Sequence, residues 1–183
     1  MTKYFYIENS QITPEFGDIF INHLNTTNED IIVMLKSPGG NPYIARNLYE
    51  ILKKYPYETT VYGFDQIDSA AVVFYLGFKN RYITPNSSFL VHPTSTERDN
   101  FPESINAYNI QPHVNLLKST DDMTIDIILS EIFLTENKEM ARTVLFNMIL
   151  LNTRIYENDA KLYKFINDVK NLPDIDQNLT IKL

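Results

Sequence analysis

The first half of the sequence alternates short apolar runs with segments of helical periodicity, and this alternation constrains the fold more than any other feature. The apolar runs, which predict strands, lie at 3–8, 31–36, 59–64, 81–85 and 87–92. Between them, 14–24 and 42–54 carry apolar residues three and four positions apart, as amphipathic helices do. The run IIVMLK is typical of a strand buried on both faces. Strand–helix–strand repetition at this spacing predicts right-handed crossovers and a parallel sheet.

The second half of the sequence changes to longer helical segments. Residues 106–133 and 138–151 each predict a helix. The tail 157–173 predicts a further amphipathic helix, with Leu162, Phe165, Ile166 and Val169 on one face. For a chain of 183 residues we therefore expect one α/β domain with a mostly helical region before its last elements.

Composition excludes several classes of function. The formal net charge of −7 argues against a nucleic-acid partner, which needs clustered basic residues. The sequence has no apolar run of membrane-spanning length, so no membrane partner is expected. Its start lacks the basic and apolar regions of a secretory signal, which predicts a cytoplasmic protein. With no cysteine and three scattered histidines, the sequence predicts neither a metal site nor a cofactor.

Three features fall at the ends of predicted strands, where open parallel sheets bind ligands. The turn Ser-Pro-Gly-Gly at 37–40 follows one strand, Ser69 follows the next, and His92 ends a later one. Taken singly, each has an ordinary explanation: a strand-to-helix turn, a helix N-cap, and a surface histidine at a strand end. Asp65 and Asp68 lie beside the serine, and a capping role is favoured for them over an orienting one.

Together, the three features supply the parts that acyl transfer requires. Free N–H groups in a glycine-rich turn stabilise a negative oxygen, a serine attacks, and a histidine takes its proton. Such groups converge when their strands end at the same sheet edge. The combination therefore predicts an active site rather than three unrelated loop residues.

Two stretches resemble the proteolytic subunit of Clp proteases. IIVMLKSPGGNPYIARNLYEIL is similar to the family's strand, Ser-Pro-Gly-Gly turn and helix, and TTVYGFDQIDSAAVVFYLGFKNRYITPNSSFLVHP resembles the block with its catalytic serine and histidine. The resemblance is clear over 4–95 and weaker to about 170. The positions that match in the second block are Gly63, Ser69, Ala70, Gly77, Arg81, Pro85, Asn86, Ser87, Phe89 and His92.

The resemblance implies a fold and a set of roles. The fold would be α/β of the ClpP/crotonase type, with repeated ββα units, a head of 1–103 and 151–183, and a helical handle of 104–150. Ser69 would be the nucleophile and His92 its general base. The backbone N–H groups of Gly40 and Ala70 would form the oxyanion hole, with Gly39 shaping the turn. A homo-oligomeric ring, and two stacked rings, would follow.

The sequence departs from the family pattern in two places. GFDQIDS inserts about two residues between the glycine of the strand and Ser69. The third triad residue, normally an aspartate, corresponds to Asn152, which follows His92 by 60 residues. Asparagine can accept the histidine N–H but brings no charge, so a slow or conditional enzyme is expected. Asp159 is the alternative, although it lies within the predicted tail helix.

The sequence therefore predicts a serine peptidase acting on peptides or proteins. Two alternatives stay open: a catalytically impaired ClpP-like scaffold or regulator, and a crotonase-type enzyme acting on coenzyme A thioesters. The first strand begins near residue 3, which leaves little of the axial loop that ATPase-coupled members use. We therefore expect a stand-alone enzyme or one with an unusual regulatory partner.

Overall fold

The structure is a computed structural model that describes residues 2–95, 107–175 and 180–183. Its strands are β1 (Thr2–Glu8), β2 (Asp30–Ser37), β3 (Thr59–Asp68), β4 (Asn80–Ile83), β5 (Ser88–Leu90), β6 (Arg154–Tyr156), β7 (Asp168–Val169) and β8 (Thr180–Lys182). Its helices are α1 (Pro14–Asn25), α2 (Pro42–Lys54), α3 (Ala70–Leu76), α4 (Ala107–Glu131), α5 (Lys138–Leu150) and α6 (Glu157–Leu162).

The strands form one sheet in the order β6-β5-β3-β2-β1-β8. All pairings are parallel except that of β5 with β6, so the predicted parallel core is confirmed. On the edge of β3 away from β2, β4 pairs with Thr60–Gly63 and β5 pairs with Gln66–Asp68. A single long strand thus carries two short partners in succession, and its carboxyl end lies beside β5.

The helices of the first half begin where the sequence provides caps. Thr13 accepts a hydrogen bond from Phe16 N at the start of α1. Asn41 accepts from the backbone N–H groups of Tyr43 and Ile44 at the start of α2. In both helices proline follows the cap, where its missing N–H leaves no bond unmade.

The core lies between the sheet and α1–α3. All seven residues of α3 are buried, which explains why this helix is apolar all round. Phe74 of α3 packs edge-to-face on Phe16 and Phe20 of α1, and Phe20 contacts Phe5 of β1. These contacts fix the position of α3, and with it the residue at its start, relative to α1 and the sheet.

The tail differs from the sequence prediction. The helix α6 ends at Leu162, and Lys164 takes a positive φ of 60°, which no α-helix accommodates. The chain then pairs with the edge of β4, and Lys170 N donates to Ile83 O. The prediction of one amphipathic helix over 157–173 is therefore wrong, because the free backbone groups at the sheet edge compete with helical hydrogen bonds.

The two long helices of the second half are close to their predicted positions. Residues 104–106, the start of the expected handle, lie outside the described residues. Tyr43 OH and Thr120 Oγ1 lie 2.9 Å apart, in hydrogen-bond contact, which ties α4 to α2. No helix in the described ranges is long and apolar enough to cross a lipid bilayer.

Glu131, the last residue of α4, anchors that helix to the rest of the molecule. Its side chain is only 12% exposed and forms ion pairs with Arg81 at 3.0 Å and Lys53 at 2.7 Å. It also accepts a hydrogen bond of 2.7 Å from Tyr49 OH. Burial raises the pKa of Glu131. The hydrogen bonds from Lys53 and Tyr49 and the positive charges of Lys53 and Arg81 lower it by more, so the pKa lies below the ordinary 4.5.

We predict that Glu131→Gln lowers the free energy of unfolding by about 2–3 kcal/mol, because it leaves the largely buried guanidinium of Arg81 and the more exposed ammonium of Lys53 without a charged partner. Urea denaturation at pH 7 measures the loss. Glu50→Gln, which removes an exposed ion pair with Lys54 at 3.9 Å, is the matched control and should change stability by less than about 0.5 kcal/mol.

This loss should depend on pH. Because the folded-state pKa of Glu131 is lowered, its contribution is complete above the unfolded-state value of 4.5 and disappears as the pH falls through the folded value. The wild type and Glu131→Gln should therefore converge in stability in acid. A difference that stays constant down to acid unfolding would contradict the assignment.

Candidate active site

Three connecting segments meet at the carboxyl ends of the parallel strands. The turn after β2, the residue between β3 and α3, and the residues after β5 line two adjoining cavities of about 90 and 510 Å³. Gly40, Ser69 and His92 line both cavities, and Ala70 lines the smaller one. The sheet therefore brings Gly40, Ser69 and His92 together, at the edge where parallel sheets bind ligands.

Ser69 has a strained backbone, and its side chain makes no hydrogen bond within the described ranges. Its φ of 58° and ψ of −129° are rare for any residue other than glycine. It occupies the N-cap position of α3, yet its side chain makes no capping hydrogen bond. A serine held in a sharp, strained strand-to-helix turn is the arrangement of a nucleophile elbow. The ordinary explanation of Ser69 as a helix cap therefore fails.

The glycine turn is pressed between Ser69 and the loop before α1. Gly39 has a φ of 96°, and a Cβ on it would lie 2.6 Å from Ser69 Cβ and from Asp68 O. A Cβ on Gly40, whose φ is 142°, would lie 2.6 Å from Ile12 O. Neither position can carry a side chain without moving the turn, so both glycines serve close approach of backbones.

Two N–H groups remain unpaired beside Ser69. The N–H of Gly39 donates to Ser37 Oγ at 3.2 Å. Within the described part of the chain, the N–H groups of Gly40 and Ala70 donate to no acceptor. Ala70 is the first residue of α3, where backbone N–H groups have no helical partner. Two free donors at the wall of a cavity can bind a developing oxyanion.

His92 is half-buried and oriented by its neighbour. Its Nδ1 lies 2.8 Å from the carbonyl oxygen of Pro93. Because a carbonyl can only accept, this contact selects, for the neutral ring, the tautomer with its proton on Nδ1 and a lone pair on Nε2, as a general base requires. No hydrogen bond joins Ser69 Oγ to His92 in the described residues, although both line the same cavities. Such bonds often tighten only when substrate binds.

Asn152 makes no hydrogen bond to His92 in the described residues, although Val91 N donates to Thr153 O beside them. It follows α5 with a positive φ of 51°, the conformation that often ends helices, and it is exposed. The antiparallel pairing of β5 and β6 places the two residues at the same end of the ladder. In the described residues, however, Asn152 lines neither cavity and makes no hydrogen bond to His92. Asp159 lies exposed on α6, also outside both cavities.

The inserted residues before Ser69 are absorbed in a bulge. Leu35 pairs with Gly63 and Ser37 pairs with Ile67, so two residues of β2 run alongside four of β3. Asp65 adopts a positive φ of 59° in this bulge, and its carboxylate pairs with Lys36 at 2.7 Å. The strand regains its register before it ends, and the insertion leaves Ser69 beside β5.

The predicted capping roles of Asp65 and Asp68 are wrong, because both carboxylates have other partners. Asp68 accepts two hydrogen bonds from the guanidinium of Arg154, at 3.1 and 3.2 Å. Arg154 also donates to Ser88 Oγ at 2.9 Å. The sequence alone does not point to Arg154, since no local pattern relates residues that lie 86 positions apart. Nor does it point to the carbonyl of Pro93, which no side-chain motif reveals.

The remaining wall of the smaller cavity combines apolar residues with Thr94, Ser95 and Thr124. Val91, Ile128 and Ile149 line it from just after β5, from α4 and from α5. Apolar residues beside a nucleophile suit an apolar side chain of a substrate. Within the described ranges, no group of three or more His, Cys, Asp or Glu residues is arranged to hold a metal ion.

The strain at Ser69 predicts an unusual effect of glycine. We expect Ser69→Gly to be more stable than Ser69→Ala by about 1 kcal/mol, because only glycine adopts this conformation without strain. Urea unfolding of both variants measures the difference. Ala71→Gly, in the helical part of α3, is the control and should lose about 1 kcal/mol. A Ser69→Ala variant at least as stable as Ser69→Gly would contradict the strained conformation.

Comparison with known proteins identifies the family. The sequence matches the Clp protease family over residues 16–169. Among solved structures, the fold is similar to that of a mutant of ClpP1 from Listeria monocytogenes, with a TM-score of 0.71 and 17% sequence identity. This similarity covers 97% of the present chain and 93% of the other. No curated protein matches the sequence. The ClpP-type α/β fold implied by the sequence is confirmed, and the chain belongs to the Clp protease family.

Proposed function

We propose that this protein is a serine peptidase that hydrolyses peptide bonds at Ser69. The observation that carries this proposal is the conformation of Ser69. Its backbone is strained, its side chain makes no capping hydrogen bond, and it shares a cavity with His92 and with two N–H groups that have no acceptor among the described residues. Strain of this kind persists only where surrounding contacts impose it, and it concentrates at functional sites. Membership of the Clp protease family supports the same reaction class.

The reaction would follow the order of acyl transfer. Ser69 Oγ attacks the carbonyl carbon of the peptide bond while His92 Nε2 takes the hydroxyl proton. The carbonyl oxygen becomes negative and is bound by the N–H groups of Gly40 and Ala70, each of which contributes about 10²–10³ in rate. His92 then gives the proton to the leaving amine, and a water molecule activated by His92 hydrolyses the acyl-enzyme.

The orienting role of the third triad residue falls, in this proposal, to the carbonyl of Pro93. It accepts the Nδ1 proton and so selects the base tautomer of His92. Unlike a carboxylate, a carbonyl brings no full negative charge to stabilise the imidazolium. We therefore expect slow turnover. The same expectation of a slow or conditional enzyme followed from Asn152 in the sequence, for the same reason of missing charge.

A ring of identical subunits, in one or two layers, is part of the proposal. On and just after α5, Met140, Phe146, Leu150 and Leu151 are exposed over 45–78% of their surface. Large apolar side chains clustered on one element are typical of surfaces covered by another subunit. Peptide or protein substrates would then reach Ser69 from inside the assembly, and any regulatory or ATPase partner would act from outside it.

Covalent labelling tests the proposed chemistry. We expect a fluorophosphonate reagent to label the wild type at Ser69, and Ser69→Ala and His92→Ala to remain unlabelled, because the reagent needs an activated hydroxyl. Mass spectrometry of the labelled peptide gives the position. Ser87→Ala, a buried serine away from both cavities, is the matched control and should be labelled normally.

An unlabelled wild type, shown to be folded and assembled, would favour the scaffold alternative. The thioester alternative predicts instead that acyl-coenzyme A binds and protects the site, which competition against labelling would detect.

The role of Asn152 is tested by a single substitution. We expect Asn152→Ala to be labelled within about threefold of the wild-type rate, because the Pro93 carbonyl already holds Nδ1. A fall of about 100-fold or more in the assembled protein would show that Asn152 is the third triad residue after all. Asp159→Asn distinguishes the remaining alternative by the same measurement.

A further inference from the structure

We infer that Arg154 is a positioning residue for Ser69, acting through its ion pair with Asp68. This inference rests on the proposed function of Ser69 and adds a residue that the acyl-transfer roles do not include. Arg154 does not line either cavity in the described residues, so it does not touch a substrate there. Its influence passes through the carboxylate of the residue that immediately precedes the nucleophile.

The geometry of the pair follows from the sheet register. Asp68 pairs with Leu90 between β3 and β5, and Leu90 pairs with Arg154 between β5 and β6. Directly paired residues project to the same face, so Asp68 and Arg154 lie on either side of Leu90. These three paired residues form a row across the sheet. The guanidinium of Arg154 reaches past Leu90 and binds both carboxylate oxygens of Asp68, at 3.1 and 3.2 Å.

A third contact fixes the guanidinium itself. Arg154 donates to Ser88 Oγ at 2.9 Å, and Ser88 is a buried residue of β5. The side chains of Asp68 and Arg154 are only 15% and 27% exposed, so water competes weakly for this contact. A bidentate pair of this kind fixes orientation as well as distance.

This pair holds the last residue before the strained turn. Ser69 N donates to Leu90 O at 2.9 Å. The backbone of the nucleophile is therefore bonded to the same residue of β5 that lies between Asp68 and Arg154. Gly39 lies so close to this turn that a Cβ on it would be 2.6 Å from Asp68 O. With its side chain fixed, Asp68 cannot rotate to release the strain at Ser69, and the strained conformation is imposed rather than optional.

The pair has an electrostatic role in addition. A carboxylate one residue before the nucleophile would repel the negative oxygen that forms during attack. Arg154 neutralises Asp68, so the site remains able to stabilise that charge. Loss of Arg154 would thus harm the reaction twice, by loosening Ser69 and by exposing the site to an uncompensated negative charge.

The first test measures the acylation of Ser69 by a fluorophosphonate reagent, separating the limiting rate constant from the half-saturating concentration. We expect Arg154→Met to lower the limiting rate constant about 10- to 100-fold, with little change in half-saturation. Arg142→Met, which breaks the exposed ion pairs with Asp122 and Asp126, is the matched control and should be labelled at the wild-type rate. Labelling of a folded Arg154→Met at the wild-type rate would overturn the inference.

Charge removal distinguishes positioning from mere packing. Asp68→Asn added to Arg154→Met removes the unpaired carboxylate, so the double variant should be labelled several-fold faster than Arg154→Met alone. A packing role alone predicts no such rescue. If Arg154→Met does not fold, Arg154→Lys and Ser88→Ala weaken the same contacts, and each should reduce the limiting rate constant by a smaller factor.

A stability measurement tests the inference without relying on activity. In the Arg154→Met background, the turn should relax, and Ser69→Gly should no longer be more stable than Ser69→Ala. An undiminished difference would overturn the inference. If the wild type is never labelled but this difference disappears, the proposed peptidase fails while the positioning role of Arg154 stands.

Discussion

The pairing of β3 with two successive strands on one edge is the constraint on which the candidate site depends. The first half of β3 pairs with β4, and its second half pairs with β5. Because β5 replaces β4 only near the carboxyl end, the chain that follows β5 emerges beside Ser69. A histidine two residues beyond β5 then lies at the same cavity as the serine. The bulge around Asp65 preserves this arrangement in spite of the longer strand.

The strained turn at Ser69 is held by contacts from three directions. Gly39 packs against it from the turn after β2, and the hydrogen bond to Leu90 O attaches it to β5. The buried α3 fixes the chain that follows. Each contact comes from a different part of the sequence, so no short segment would adopt this conformation alone. The strain at Ser69 is therefore a property of the whole fold, and the Oγ of Ser69 makes no capping hydrogen bond to α3.

Charge is distributed unusually around the candidate site. The nucleophile is preceded by a carboxylate that is paired with Arg154, whereas His92 is oriented by a neutral carbonyl. A fixed ion pair thus lies one residue from the serine, and no carboxylate hydrogen-bonds to the histidine in the described residues. This arrangement favours precise placement of the nucleophile over stabilisation of the imidazolium, which is consistent with the slow turnover expected of the proposed peptidase.

The sequence by itself determined the parallel α/β fold, the Clp protease resemblance and the elements that carry Gly40, Ser69 and His92, because these follow from local periodicity and from an ordered motif. Their catalytic roles stay predictions. Only the tertiary structure decided the end of α6, the partners of Asp65 and Asp68, and the exposed position of Asn152. The physical reason is the same in each case. In each case the local preference of a segment competes with a partner that is distant in the sequence, such as a sheet edge, an arginine or a lysine. Sequence spacing does not reveal which partner lies within hydrogen-bond distance.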